Sequence, residues 1–307
     1  MSISRDLLLR ASRSELLARQ LVRRAFLRRA LRRFMPGEHL SDALEAATGF
    51  AAAGVGTVLT QLGENVTSVA EAGAVRDHYL DVLQQVERRR LPTHLSVKLT
   101  HLGLDVDRDA CEQAVCALAA RAAGARTTLW IDMEDSRYTD ATLELFRRVR
   151  PDHPSLGLCL QAYLRRTGGD LEQLLRLAPA IRLVKGAYAE GPAVAFPRKR
   201  DTDASYRALA ARLLEEAAHA GARPVFGTHD MRLIRRIREN AAALGVPPGG
   251  YEFHLLYGIR EADQRALAAQ GETLRVLISY GSAWFAWYMR RLAERPANVW
   301  FVLKNLV

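Results

Sequence analysis

Arg182-Leu183-Val184-Lys185-Gly186-Ala187-Tyr188 carries the reading of the fold. With Ile181 before it, the stretch reads as a short buried strand running into a charged tip that contains glycine. An apolar run bounded by Gly and flanked by Arg and Lys fits a parallel strand delivering side chains to a site. Taken alone, it fits equally an ordinary strand end with solvated charges. Recurrence favours the first reading. Residues 56–62, 94–99, 127–132, 156–161, 223–229, 251–257 and 274–280 share the character, and most finish on polar residues. With 181–185 they make eight. Between them lie helix-length stretches at 110–123, 139–150, 170–177, 203–220, 231–244 and 261–270, and a helix at 40–53 leads into the first strand. Strands alternating with helices predict βαβ units and a parallel sheet. Eight such units in about 250 residues predict a (β/α)8 TIM-type barrel. The rival is an open doubly wound sheet, but no G-x-G-x-x-G follows the first strand.

A barrel places its chemistry at the C-terminal ends of the strands. Those ends supply Lys98, Asp132, Gln161, Lys185, Thr228 with His229, and Tyr257. Amides, cations and one carboxylate converging there suit an anionic, hydrogen-bonding ligand better than a metal. No HExxH or CxxC occurs, and the Asp, Glu and His residues show no metal-ligand clustering, so no metal is expected.

At 307 residues, one large domain is the expectation, with roughly 75% of the unfolded chain's surface buried. Cys111, Cys116 and Cys159 lack metal spacing and read as reduced core thiols, which points to the cytoplasm. No apolar run is long enough to span a membrane and no signal-peptide core is present. The net charge of +10 is lopsided: ten arginines against Asp6 and Glu15 leave +8 on residues 1–34 and +2 on the rest. Leu17, Leu21, Val22, Phe26, Leu27, Ala30, Leu31 and Phe34 recur there at helical spacing. Residues 1–36 therefore read as a basic amphipathic helical arm, and 37–307 as the catalytic barrel. Such an arm suits peripheral contact with an anionic membrane face, at about 1 kcal/mol per cation. It equally suits packing on the barrel with its arginines solvated or snorkelling. No nucleic-acid motif appears. Met35-Pro36-Gly37-Glu38 reads as the linker, and 191–197 and 247–250 as loops.

With these motifs in order, the chain resembles the proline dehydrogenase family, in its short, monofunctional bacterial form. The resemblance rests on Leu95-Ser96-Val97-Lys98-Leu99-Thr100, Ile131-Asp132-Met133-Glu134-Asp135-Ser136 and Leu160-Gln161-Ala162-Tyr163. It continues through Arg182 to Tyr188, Gly227-Thr228-His229-Asp230, Tyr251 to Gly258, and Tyr288-Met289-Arg290-Arg291-Leu292-Ala293-Glu294. It implies FAD-dependent oxidation of L-proline to 1-pyrroline-5-carboxylate by hydride transfer to flavin N5, with a membrane quinone as acceptor. It also implies a C-terminal helix over the active site.

By the same resemblance, Lys98, Arg290 and Arg291 bind the substrate carboxylate, with Glu294 partnering Arg290, and Leu256 and Leu277 wall the pocket. Asp132 orients the cations and tunes proton affinity near the amine, and Arg182 reaches flavin N5. Gln161 meets the pyrimidine edge, Met133 packs on the flavin, and Lys185, Gly186 and Ala187 follow its ribityl and phosphate side. Thr228 and His229 reach the pyrophosphate or adenosine end. Arg198-Lys199-Arg200 either covers the adenine end or is a solvated loop run.

Two positions depart from the family pattern. Leu277 stands where the family often has a tyrosine against the proline ring, with Tyr280 as a substitute only after a three-residue slip. His254 stands where Gln is frequent. The first departure implies tolerance for hydroxylated or N-substituted cyclic amino acids. The rival readings are a Schiff-base aldolase barrel using Lys185 or Lys98, a folate-linked flavin barrel resembling methylenetetrahydrofolate reductase, and a membrane- or partner-binding module built on the arm.

Overall fold

In the computed structural model, residues 33–219 and 221–284 are described. The arm up to residue 32, and the segment carrying Arg290, Arg291 and Glu294, lie outside the described residues. The chain alternates α1 (Leu40–Ala52), β1 (Gly56–Gln61), α2 (Val69–Arg88), β2 (Thr93–Val97), α3 (Arg108–Gly124), β3 (Leu129–Ile131), and then a 3-10 turn over Ser136–Tyr138. It continues with α4 (Thr139–Val149), β4 (Leu156–Gln161), α5 (Thr167–Leu175), β5 (Ala180–Val184), α6 (Lys199–His219), β6 (Arg223–Gly227), α7 (Met231–Ala243), β7 (Glu252–Leu256), α8 (Glu261–Ala269) and β8 (Leu274–Tyr280). The eight strands form one closed parallel barrel in chain order. β8 returns to β1 in a ladder running from Gly56 opposite Arg275 to Gln61 opposite Tyr280. This is the expected (β/α)8 architecture.

Side-chain alternation splits each strand between two layers. Leu59, Leu95, Val97, Leu129, Ile131, Leu158, Ile181, Leu183, Phe253, Val276 and Ile278 join the large apolar cluster shared with the helices. Their neighbours face the barrel interior, where Val58, Trp130, Ala180 and Val225 pack with Leu277. Glycine clears space for the large inward groups. A Cβ at Gly157 would lie 2.6 Å from the Trp130 ring, and one at Gly56 would lie 2.5 Å from the Arg275 guanidinium.

Several boundaries differ from the sequence reading. β2, β3, β5, β6 and β7 stop before Lys98, Asp132, Lys185, Thr228 and Tyr257, which therefore stand on the βα loops. α6 starts at Lys199, so Lys199 and Arg200 belong to its first turn rather than to a loop. α2 adds a helix that the periodicity did not single out; Ser68 caps it by accepting from the Glu71 amide at 3.2 Å. Met35–Glu38 is packed rather than a free linker. Met35 is buried, and the Trp284 indole donates to Glu38 Oε1 at 3.0 Å.

Candidate active site

Ser96 and the residue two positions on, Lys98, share the inward face of β2 and its loop, as Trp130 and Asp132 do on β3. Strand pairing sets Ser96 beside Trp130 and Val97 beside Ile131. From β5, Arg182 reaches across the interior, 3% exposed. Its Nη2 donates to Ser96 Oγ at 2.9 Å and to Asp132 Oδ1, and Ser96 Oγ donates to the same carboxylate oxygen at 2.9 Å. The guanidinium carbon lies 5.2 Å from the Trp130 ring centre. Arg182 Nη1 is buried with no hydrogen-bond partner. Two of the expected site residues, Asp132 and Arg182, are thus in contact with each other, a pairing the sequence reading did not make, and one donor of Arg182 is left over.

Gln161, at the end of β4, is 3% exposed and donates its amide to Met133 O at 3.1 Å. Its Oε1 is buried without a partner. Met133 is buried within the large apolar cluster, so here it offers Gln161 its carbonyl. A free donor on Arg182 and a free acceptor on Gln161 are among several buried side-chain polar atoms left unpaired among the described residues, and an unpaired buried polar group costs about 1–3 kcal/mol. A flavin ring presents the complementary N5 acceptor and N3–H donor.

The Lys98 ammonium makes no hydrogen bond or ion pair among the described residues, while its main-chain carbonyl accepts from the Leu102 amide at 3.2 Å. Its loop is fixed by Glu134, whose two oxygens accept from the Thr100 amide at 3.0 Å and the Thr100 hydroxyl at 2.6 Å. Burial raises the Glu134 carboxyl, against those two bonds and the Lys98 charge. His101 is pushed down to about 4, by burial first and by the Lys98 ammonium second. The imidazole beside Lys98 is therefore neutral near pH 7.

The other expected groups stand in varied company. Lys185 Nζ pairs with Asp203 at 2.6 Å and Asp230 at 3.5 Å. Gly186 has φ +110°, and a Cβ there would fall 2.1 Å from the Tyr163 ring, so the close approach that demands glycine is to Tyr163. Ala187 follows on the same loop. Glu190, further along, accepts from the Ser136 amide and hydroxyl, each at 2.7 Å. That clasp ties the β5 loop to the β3 loop. Thr228 Oγ1 accepts from the Asp230 amide at 3.2 Å, and His229 Nε2 accepts from the Leu256 amide at 3.0 Å. The charges of Arg198, Lys199 and Arg200 are all paired with Asp201 or Asp203 near the start of α6.

Leu256 and Leu277 are register partners on β7 and β8. Tyr280 does not replace Leu277: it joins the helix-side cluster, and its hydroxyl bonds His78 Nε2 at 2.8 Å. The interior wall at this position is aliphatic.

Below this level lies a polar layer that the sequence reading did not anticipate. His94, Glu252 and His254 bring ligand-type atoms within 4.8 Å of one another, all buried, where no metal-ligand clustering was expected. The Glu252-x-His254 alternation on β7 was the available signal. Arg275 Nε donates to Glu252 at 2.8 Å, and Arg223 Nε lies 4.0 Å from it. Two guanidiniums thus supply the positive charge beside this carboxylate, which disfavours a divalent cation there. Burial raises the Glu252 carboxyl, but the His254 hydrogen bond and the neighbouring cations outweigh it and leave Glu252 well below the usual carboxylate range.

The family model described as Proline dehydrogenase matches residues 43–304. Proline dehydrogenase 1 of Bacillus subtilis (strain 168) is 36% identical over 276 residues, 90% of each chain. Proline dehydrogenase 2 of the same strain is 33% identical over 304 residues, 99% of each chain. Among solved structures, proline utilization A (PutA) from Bdellovibrio bacteriovorus superposes with a TM-score of 0.80 at 23% identity. The match covers 95% of this chain and 36% of that one, so the chain spans about a third of the longer protein. The likeness carries the barrel.

Proposed function

Because the chain belongs to the proline dehydrogenase family, we propose that it oxidises L-proline to 1-pyrroline-5-carboxylate with FAD as its cofactor and a membrane quinone as the final acceptor. The observation that carries this reading is the pair of buried, unpartnered atoms, Arg182 Nη1 and Gln161 Oε1, at one end of the barrel. They fit the acceptor and donor edges of an isoalloxazine ring. When bound, FAD supplies the two-electron acceptor for the hydride leaving proline C5.

The chain's own residues bind, orient and exclude water. Gln161 and Arg182 hold the ring edges, and the unpaired Lys98 meets the substrate carboxylate. Arg290 and Arg291 would complete that clamp, since arginine's planar fork suits a carboxylate. Asp132 holds the Arg182 guanidinium at Nη2 through one oxygen, which places that corner of the group in the site. Leu256 and Leu277 form an aliphatic wall beside the ring carbons of the substrate. Lys185, Gly186, Ala187, Thr228 and His229 stand on the β5 and β6 loops, where the rest of the cofactor would run. Met133 and Gln161 close the β3–β4 side. The ion pairs of Lys185 with two carboxylates disfavour its use as a Schiff-base amine, a role that needs a neutral nitrogen.

The visible spectrum of the purified protein, before and after anaerobic L-proline, tests this. Flavin bands that bleach with proline support both cofactor and substrate. Bands that persist with proline but bleach with trans-4-hydroxyproline or an N-methylated analogue assign the aliphatic wall at Leu277 to a different cyclic amino acid. A colourless protein that fails to take up added FAD overturns the reading.

A further inference from the structure

Trp130 is fully buried inside the barrel, on the same inward face as Asp132. Its indole N–H donates to His94 Nδ1 at 3.2 Å, which fixes the ring's rotation. The His254 ring stands edge-on to it, centroids 5.6 Å apart, and Gly157 leaves the room that the indole occupies. Two guanidiniums lie over the ring, Arg182 at 5.2 Å and Arg223 at 5.5 Å. Both oxygen acceptors of Arg182, on Ser96 and Asp132, take the same nitrogen, Nη2. Two bonds to one nitrogen place that corner of the guanidinium but leave its plane free to tilt about it. The indole supplies the missing contact.

We propose that Trp130 is a positioning residue for the reaction: by bracing the Arg182 guanidinium it fixes the direction in which Nη1 donates to the flavin. The proposal rests on the flavin reading above. The layer beneath supports it. His94 accepts the indole N–H, and burial holds it well below its usual pKa; His254 is likewise held down, to about 4. Trp130 therefore meets neutral rings, and the positive charge over it comes from arginine. Arg223 and Arg275 face Glu252 at the N-terminal starts of β6 to β8, below the site, so among these groups Arg182, paired with Asp132, is the guanidinium at the level where a reduced flavin would carry negative charge.

The test uses the full-length holoenzyme and reads the midpoint potential of the bound flavin, together with stopped-flow reduction by L-proline. Trp130→Leu removes the ring face. Flavin reduction at saturating proline is expected to slow roughly tenfold, in the range that a desolvated cation–π contact supports. The potential shifts negative, and the proline Kd changes little. Trp130→Phe keeps a face and restores most of both. His94→Leu, which leaves the indole but frees its N–H, shifts the potential in the same direction by less, and carries the test if Trp130→Leu does not fold. A Trp130→Leu or His94→Leu enzyme that binds FAD and keeps the wild-type potential and reduction rate overturns the proposal. A wild-type protein that takes up no FAD overturns the underlying reading instead.

Discussion

Arg182 can hold a ligand because its own chain satisfies only part of it. Replacing it with lysine keeps a charge but loses the planar fork and the stacked face. Flavin reduction in Arg182→Lys should fall by about 10²-fold or more, the loss typical of removing one preorganised donor; rapid-mixing absorbance measures it, and a rate within threefold of wild type would remove Arg182 from the site. Gly186 is a separate constraint. Its φ of +110° and the Tyr163 ring against it mean that Gly186→Ala adds strain and a clash. A loss of roughly 1–3 kcal/mol, read from urea denaturation, is expected. Both residues were legible in the sequence as a cation within a strand and a glycine at its tip. Trp130 was not, because its contact with Arg182 spans 52 positions and depends on the register of three strands. Residue type alone does not reveal such a meeting.

At the scale of elements, the site is a set of loops held at fixed heights by cross-loop carboxylates. Glu134 on the β3 loop grips Thr100 on the β2 loop, and Glu190 on the β5 loop grips Ser136. The Lys98 ammonium has no partner among the described residues, so its position is inherited from the Glu134–Thr100 clasp. Glu134→Gln replaces a charged acceptor with an amide that cannot take both bonds equally. The KM for proline should rise about three- to tenfold with a smaller change in kcat, in line with about 1 kcal/mol lost from a charge-assisted pair. Steady-state kinetics with an artificial acceptor checks this; a drop in kcat alone would place Glu134 elsewhere in the mechanism. The strands themselves could be read from their apolar runs, and their ends only to within two residues. Those two residues decide whether Lys98 or Asp132 belongs to a ladder or to a loop. α2 escaped notice because polar residues dilute its apolar stripe of Ala72, Tyr79, Val82, Leu83 and Val86.

For the molecule as a whole, the fold encloses neutral histidines in the barrel interior and under its loops. His101 and His254 are both held near 4, chiefly by burial, against 6.5 in an exposed chain. The unfolded chain therefore takes up protons that the fold refuses between those values, and stability falls as pH drops through that window. Each histidine contributes at most about 3 kcal/mol at 1.4 kcal/mol per pKa unit. Urea midpoints should be level above pH 7 and decline from about 6.5 to 4, and His254→Gln should flatten that decline. An unchanged slope in the variant would show that His254 is not one of the groups responsible. Composition foretold none of this, since eight histidines in a sequence do not say which are enclosed.

The β1–β8 ladder joins residues 219 positions apart, Gly56 to Arg275, and is the longest of the eight. Loop closure over such a span is entropically costly and rewards the chain only at the end. A nascent chain emerging N-terminus first must therefore exist as an open sheet, with β1 waiting at one unpaired edge until almost the whole polypeptide has been made. Such edges recruit other strands. A chain ending after α8 keeps seven strands and two open edges, so its expected fate is intermolecular pairing rather than a smaller enzyme, and the cell's exposure to that hazard lasts until residue 280 has left the ribosome.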